Sequence, residues 1–327
     1  MSPPERHPAL SFVVPVHDEE GNVAPLIAEL TEVGDRIGRT YELVFVDDGS
    51  HDRTLERLLA IAETNAHLRV VELEANVGEA GALSAGMHVA AGDIVVTMDG
   101  DGQNDPHDVP DLLATLEHGY DAVSGRREAR KEKFLTRVLP SWIANRLIVV
   151  ATGVPAYDCG CGLKAYRRKL VEGAQLPRGF NRFLPAILGV DPRRVAEIPT
   201  RDRPRGSGQS NYGLSRVAIV FRDLPALPLL TRMQPPLRPL ARALAVLMGT
   251  CGIVAAWTAF RGHPGPALAP LGLALVAWAA RHNVVRMAGA RERGVFRVRK
   301  VHHGGTALAD RDRGRGVLGQ EPAPDLR

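Results

Sequence analysis

Cysteine and aromatic residues are scarce. Only three cysteines occur in 327 residues. The Cys159-Gly-Cys161 pair has no second Cys/His pair at zinc-ligand spacing, so a structural zinc site is not expected. A disulfide framework is excluded too, and a reduced, cytosolic-side chain is the simpler reading. Aromatic residues are 5% of the chain, and none interleave with a basic patch. Nucleic acid is therefore not an expected partner, and the net charge of +4 is too small to argue otherwise. There is no Gly-x-x-x-x-Gly-Lys-Ser/Thr loop, which excludes P-loop chemistry. The opening "MSPPERHPAL" holds no apolar h-region, so no secretory signal is expected there, and residues 1–9 read as a flexible lead-in.

What is present is a regular alternation. "LSFVVPV" (10–16), "YELVFVD" (41–47), "RVVEL" (69–73), "DIVVTMD" (93–99) and "DAVSG" (121–125) read as strands. Helical patterns over 22–36, 54–65, 79–90 and 108–118 separate them. Single helices between strands imply right-handed βαβ units and a mostly parallel, Rossmann-like α/β sheet. The near-continuous Val/Ile runs suit strands buried on both faces. Residues 134–153 read as a helix broken by Pro140, and residues 155–213, rich in Gly and Arg, show no strong period.

The strands end in acid. Asp18, Glu19 and Glu20 follow the first, Asp47 and Asp48 tip the second, and Asp99 and Asp101 tip the fourth. Ligands of open parallel sheets bind beyond these carboxyl ends. Clustered carboxylates repel unless a cation or donor groups neutralise them. Carboxylate and amide oxygens suit Mg²⁺ or Mn²⁺, above all one shared with a diphosphate. An EF-hand starting at Asp99 needs Gly and Glu where Asn104 and Pro110 stand. Asp48, Ser50, Asp105 and Asp108 also suit plain turn and helix-cap roles.

Four segments, "PVHDEEGN", "FVDDGSHDRT", "NVGEAGALSAG" and "TMDGDGQNDP", resemble in order and spacing the family 2 glycosyltransferases, whose nucleotide-sugar-binding fold is called GT-A. Downstream, "SGRRE", "DCGCGLKAYRR", "NRFLPAIL" and "IPTRDRPRGSGQSNYG" resemble the dolichol- and polyprenyl-phosphate sugar synthases of that family. The resemblance covers residues 10–222 and implies roles for individual residues. Pro15, Val16, His17, Glu19, Asp47 and Asp48 would contact the nucleotide, with His17 where the family usually has an aromatic residue. Asp99 would lie near ribose and diphosphate, and Arg203 at the donor. Asp101 and Gln103 would ligate Mg²⁺ or Mn²⁺. Arg126, Arg137, Ser141 and Arg201 would hold the acceptor phosphate, with Asp99, Asp101, Arg126 and Arg137 as the catalytic set. Arg205, Ser210 and Tyr212 belong to the same basic region, and Asp158 suits either orienting an arginine or the sugar or a plain turn role.

Residues 243–260 carry no charge, and eighteen helical residues span about 27 Å, close to a bilayer core of about 30 Å. A second apolar stretch, 267–280, is shorter and contains Pro270. A buried hairpin in a soluble domain competes with a membrane hairpin here. Flanking Arg and Lys on both sides favour the membrane, with both termini cytoplasmic. The expected organisation is a GT-A domain at 10–213, interfacial helices at 214–240, a transmembrane hairpin at 241–281 and a basic cytoplasmic tail at 282–327.

The resemblance implies an inverting transfer of one sugar, of the GDP-mannose or UDP-glucose type, to a polyprenyl phosphate at the cytoplasmic face of the inner membrane. The partners are then a nucleotide-diphosphate sugar, the lipid phosphate and the bilayer, with homo-oligomerisation open. A processive polysaccharide synthase would carry Gln-x-x-Arg-Trp, and Trp142, Trp257 and Trp278 all lack that context. Two rival readings keep the same fold: a soluble glycosyltransferase with a non-lipid acceptor, and a non-catalytic membrane adaptor.

Overall fold

A computed structural model describes residues 7–127, 139–155, 158–203, 222–230, 236–261 and 264–305. Eight strands form one mixed sheet: β1 (Leu10–Val16), β2 (Tyr41–Asp47), β3 (Leu68–Leu73), β4 (Ile94–Thr97), β5 (Ala122–Arg127), β6 (Lys164–Arg167), β7 (Val195–Thr200) and β8 (Val298–His303). Their spatial order is β7-β5-β6-β4-β1-β2-β3-β8. The central strands β3, β2, β1 and β4 are parallel, as the alternation implied. From β1 the chain adds β2 and β3 on one side and β4 on the other. That reversal makes the crevice beyond β1 and β4 the expected ligand position.

β1 is buried along its whole length. Its alternate residues feed two cores, as a pleated strand requires. Phe12 and Val14 pack with Leu26 and Leu30 of α1 (Val23–Ile37) and Leu112 and Leu116 of α4 (Val109–Glu117). Val13 packs on the other face with Ala82, Ala85 and Met87 of α3 (Glu79–Val89). A Cβ at Gly86 would lie 2.4 Å from Val13 Cγ1, so this glycine lets α3 approach the sheet. α2 (Thr54–Ala62) connects β2 to β3. α1 stops at Gly38, in the left-handed region at φ 71°, whose N–H reaches Asp35 O.

The second half departs from the sequence reading in two places. Of the helix read over 134–153, the described part is α5 (Leu139–Thr152), which carries Pro140 near its first described residue. The region without a clear period contains β6 and β7, with short helices α6 (Arg168–Val171) and α7 (Leu184–Ile187) between them. β6 is antiparallel to both β4 and β5, a connection a βαβ rule does not anticipate. The basic tail expected from residue 282 is also not a plain tail. α9 (Pro264–Arg293) runs into it, and β8 then pairs antiparallel with β3. Arg299 of β8 pairs with Glu72 at 2.8 Å, so the basic residues cover an acidic sheet edge.

α8 (Leu237–Phe260) and α9 pack side by side, and both are long and apolar enough to cross a membrane. α9 continues through Pro270, which removes the shortness expected of the second span. Much of both helices is open: Phe260 is 92% exposed, Ile253 71% and Leu268 71%. The inner part of α9 is anchored instead. Val284 and Met287 pack with Ile148 of α5, Phe180, Phe183, Leu227 and Leu230. Buried Asn283 donates to Arg222 O at 3.2 Å.

Candidate functional site

The tips of β1 and β2 are joined, because Asp48 N–H donates to Val16 O at 2.9 Å. Pro15 and Val16 lie buried within β1. His17 follows, half-buried, and Glu19 shapes the turn into α1: its N–H donates to Thr54 Oγ1 at 2.8 Å, and Asn22 Nδ2 donates to its carboxylate. Asp47 and Asp48 are 2% and 3% exposed. Both Asp48 oxygens accept backbone N–H groups, from Val77 at 2.7 Å and Gly78 at 2.8 Å, tying β2 to the loop before α3. Asp48 thus performs the turn-forming role that its residue type suggested. Asp47 Oδ2 accepts from Ser50 N–H at 3.4 Å, while its Oδ1 is buried with no partner among the described residues. Burial pushes both carboxyls above the ordinary range, against the hydrogen bonds that favour ionisation.

Asp99, just past β4, meets the backbone of Gly162. A Cβ at residue 162 would sit 2.2 Å from Asp99 Oδ1, so a side chain there would displace this carboxylate. Asp99 N–H donates to Asn104 Oδ1 at 3.3 Å. Burial pushes the Asp99 carboxyl up to about 8, and the negative charges of Glu79 and Asp101 push the same way. Lys164 and Arg127 oppose that rise without cancelling it. Asp101 Oδ1 accepts from Gln103 N–H at 3.1 Å. Gln103 is held in turn: its carbonyl accepts from Arg203 N–H at 2.8 Å, and Asn104 bridges to Asp202. The segment after β7 therefore lies along the loop after β4 and fixes its course.

The arginines fall differently from expectation. Arg203 pairs with Glu29 and Asp105, each at 2.7 Å. Arg201 pairs with Asp108 at 2.7 Å and Asp105 at 3.3 Å. These guanidinium groups pair with the protein's own carboxylates and so hold the Gln103 loop. The donor role expected of Arg203 and the acceptor role expected of Arg201 stand as proposals. Arg126 is exposed, and the alternation of β5 turns it away from its neighbour Arg127. It is Arg127 that lies near enough to Asp99 to favour its ionised form. Arg127 is gripped by Asp158, with Nε at 2.8 Å and Nη2 at 3.0 Å, so Asp158 orients an arginine as anticipated. Arg137, Arg205, Ser210 and Tyr212 lie outside the described residues, and so does the side chain of Ser141.

Sequence reasoning missed Arg127, Lys164 and Glu79. All three stood inside quoted motifs, and strand alternation would have separated Arg127 from Arg126. Lys164 is buried and donates to Cys159 O at 3.5 Å. Cys159 and Cys161 are packed thiols, pushed up by burial to about 12 and about 11, which suits packing better than ligation.

The family profile for Glycosyl transferase family 2 matches residues 11–173. Among curated proteins, the chain is 40% identical over 219 residues to dodecaprenyl-phosphate galacturonate synthase from Rhizobium johnstonii, covering 66% of this chain and 65% of that protein. It is 36% identical over 216 residues to undecaprenyl-phosphate 4-deoxy-4-formamido-L-arabinose transferase from Shewanella sediminis, with 66% and 65% covered. The chain thus matches 65% of the length of each relative. Among solved structures, it is similar to glucosyl-3-phosphoglycerate synthase from Mycobacterium tuberculosis in complex with Mn²⁺ and UDP-glucose. The TM-score there is 0.51 at 23% identity, over 70% of this chain and 80% of that one. A complex of the same enzyme with Mn²⁺, UDP-glucose and phosphoglyceric acid gives 0.53 at 22%, over 70% and 81%. At this identity the likeness speaks for the sheet and its connections alone. Profile, ordered motifs and sheet agree: the chain belongs to glycosyltransferase family 2 and has the GT-A fold.

Proposed function

We propose that the protein transfers one sugar from a nucleoside-diphosphate sugar to a polyprenyl phosphate, with inversion, at the cytoplasmic face of the membrane. The observation that carries this reading is Asp99: a half-buried carboxylate at the sheet's switch point, set against Gly162 and beside Asp101 and Glu79, with its carboxyl pushed up to about 8. Such a group asks for a cation. Asp101 and Gln103 offer the oxygens a hard divalent ion prefers, so the residues present fit Mg²⁺ or Mn²⁺. When bound, that ion supplies Lewis-acid charge to a departing diphosphate. The crystallised enzyme with the same fold was solved with Mn²⁺ and UDP-glucose, which supports the same class of ligand here.

The chain's own residues supply the rest. The unpartnered Asp47 Oδ1 would accept an N–H from the nucleobase, with His17 and Glu19 bordering it. Arg127, held rigid by Asp158, would add fixed positive charge near the diphosphate. A phosphate oxygen of the lipid attacks the anomeric carbon as the bond to the diphosphate breaks. The acceptor is ionised at neutral pH, so no strong base is required. Exposed Arg126, together with Arg137 and Ser141, would hold that phosphate.

The open apolar surfaces of α8 and α9 support a hairpin in lipid rather than a soluble core. Their anchorage through Val284 and Met287 would keep the domain at the interface, where a lipid head group lies. Both named relatives act on polyprenyl phosphates, which supports this acceptor. Their sugars, galacturonate and 4-deoxy-4-formamido-L-arabinose, join mannose and glucose as donor candidates. The test is transfer of label from a panel of UDP- and GDP-sugars into solvent-extractable lipid. Label from one donor supports the reading; donor binding without lipid labelling removes the acceptor. Arg137→Ala is expected to raise KM for the lipid phosphate more than for the donor, and an equal rise in both moves Arg137 out of the acceptor site.

A further inference from the structure

Among the described residues, one group of three metal-ligating side chains converges: His17, Asp18 and His51. It uses none of the atoms of Asp101 or Gln103. His17 Nε2 lies 3.6 Å from Asp18 Oδ2, and His51 Nδ1 lies 3.9 Å from the same oxygen. All three ligand atoms fall within 4.8 Å of one another. The two imidazoles meet edge to face, with centroids 5.7 Å apart and planes at 80°, so each turns one nitrogen toward the carboxylate without stacking.

The carboxylate between them is preset. Asp18 Oδ1 accepts backbone N–H groups from His51 at 2.7 Å and Asp52 at 3.4 Å, which leaves Oδ2 aimed at the imidazoles. Asp18 N–H donates to Ser50 Oγ at 3.1 Å, so the tips of β1 and β2 hold the residue from both ends. Its backbone sits in the left-handed region at φ 55°, the one described non-glycine residue to do so.

We propose that His17, Asp18 and His51 form a second cation site, for a late first-row transition metal of the Zn²⁺ class. Two imidazoles and one carboxylate match that class and not Mg²⁺. Tetrahedral Zn²⁺ with ligands at about 2.0–2.1 Å sets ligand–ligand edges of about 3.3–3.4 Å. The two measured separations close to that by a few tenths of an ångström. His51 is 82% exposed and free to swing in for the third. The solvent side leaves a fourth position for water. The site also touches the nucleotide edge, because a positive charge on His17 favours the ionised forms of Asp47 and Asp48. A cation on His17 therefore adds charge where the donor's nucleotide would sit.

The test uses the untagged full chain in detergent, stripped with chelator. ZnCl₂ binding is measured by calorimetry, and CoCl₂ binding by visible absorption. One Zn²⁺ per chain is expected, with tetrahedral Co²⁺ bands. His51→Ala and Asp18→Asn should each weaken binding at least about tenfold. Asp101→Ala should leave it intact, and circular dichroism checks that each variant is folded. Equal Zn²⁺ affinity in wild type and His51→Ala overturns the proposal. So does loss of binding in Asp101→Ala alone, or no binding at all.

Discussion

Asp99 and Asp105 lie on one loop, six residues apart, in opposite surroundings. Asp105 is buried, which opposes ionisation, yet hydrogen bonds from His107 and the charge of Arg203 outweigh that and hold its carboxyl below the ordinary range. Asp99 is half-buried; desolvation, followed by acidic neighbours that outweigh Lys164 and Arg127, pushes its carboxyl up to about 8. The protein has neutralised one carboxylate with its own arginines and left the other short of positive charge. The first arrangement builds a loop; the second leaves a place for a cation. Residue type alone does not tell them apart. The partners brought by β7, far along the chain, decide which is which.

The largest expected effect comes from the side lacking charge. Asp101→Ala should lower turnover by about a thousandfold or more, with thermal stability nearly unchanged. Initial rates and a melting curve check both halves, and an active variant would break the contrast with Asp105. Next is Arg127→Ala, which strands the nearly buried carboxylate of Asp158. Such a break costs about 3–5 kcal/mol, whereas exposed Arg126→Ala should stay within about 0.5 kcal/mol. Denaturant midpoints for the two variants measure the difference, and equal midpoints would remove the structural weight given to the Arg127–Asp158 pair.

The pH dependence follows from Asp99. An unfolded carboxyl loses its proton near about 4, while the folded one keeps it to about 8. The folded state binds more protons across that window, so cation-free stability falls as pH rises through it. Asp99→Asn should flatten the slope in unfolding measured between pH 5 and 8 with chelator present. A slope unchanged by the substitution would remove the electrostatic account of this residue. A small effect is also expected at Arg203→Ala. Arg203 is about a third exposed, so solvent screening limits the loss to about 1 kcal/mol. Its backbone contact to Gln103 survives the change, so the donor KM should move less than tenfold. A larger rise would show that the guanidinium itself reaches the donor.

The first half of the chain was legible because its physics is local. β1 and β2 fall on the residues that the Val/Ile runs marked, and α1 lies within one residue of the helix read over 22–36. Asp99 and Asp101 were legible from acid at a strand end, since sheet topology says where ligands bind. β6 and β8 were not, because their stability comes from partners distant in sequence: Tyr166 pairs with Val95, and Val301 with Val71. The pairing of Arg201 and Arg203 with Asp108 and Asp105 was not legible for the same reason.

The central claim is that the acidic edge holds a cation for a sugar donor while the hairpin brings a lipid phosphate to it. The most direct test incubates membranes containing the protein with polyprenyl phosphate, Mg²⁺ or Mn²⁺, and labelled UDP- and GDP-sugars, with Asp101→Ala alongside. The account predicts label from one donor in the organic phase, lost with chelator and in the variant. Label that survives both would contradict the cation, and a donor that binds without labelling lipid would contradict the acceptor.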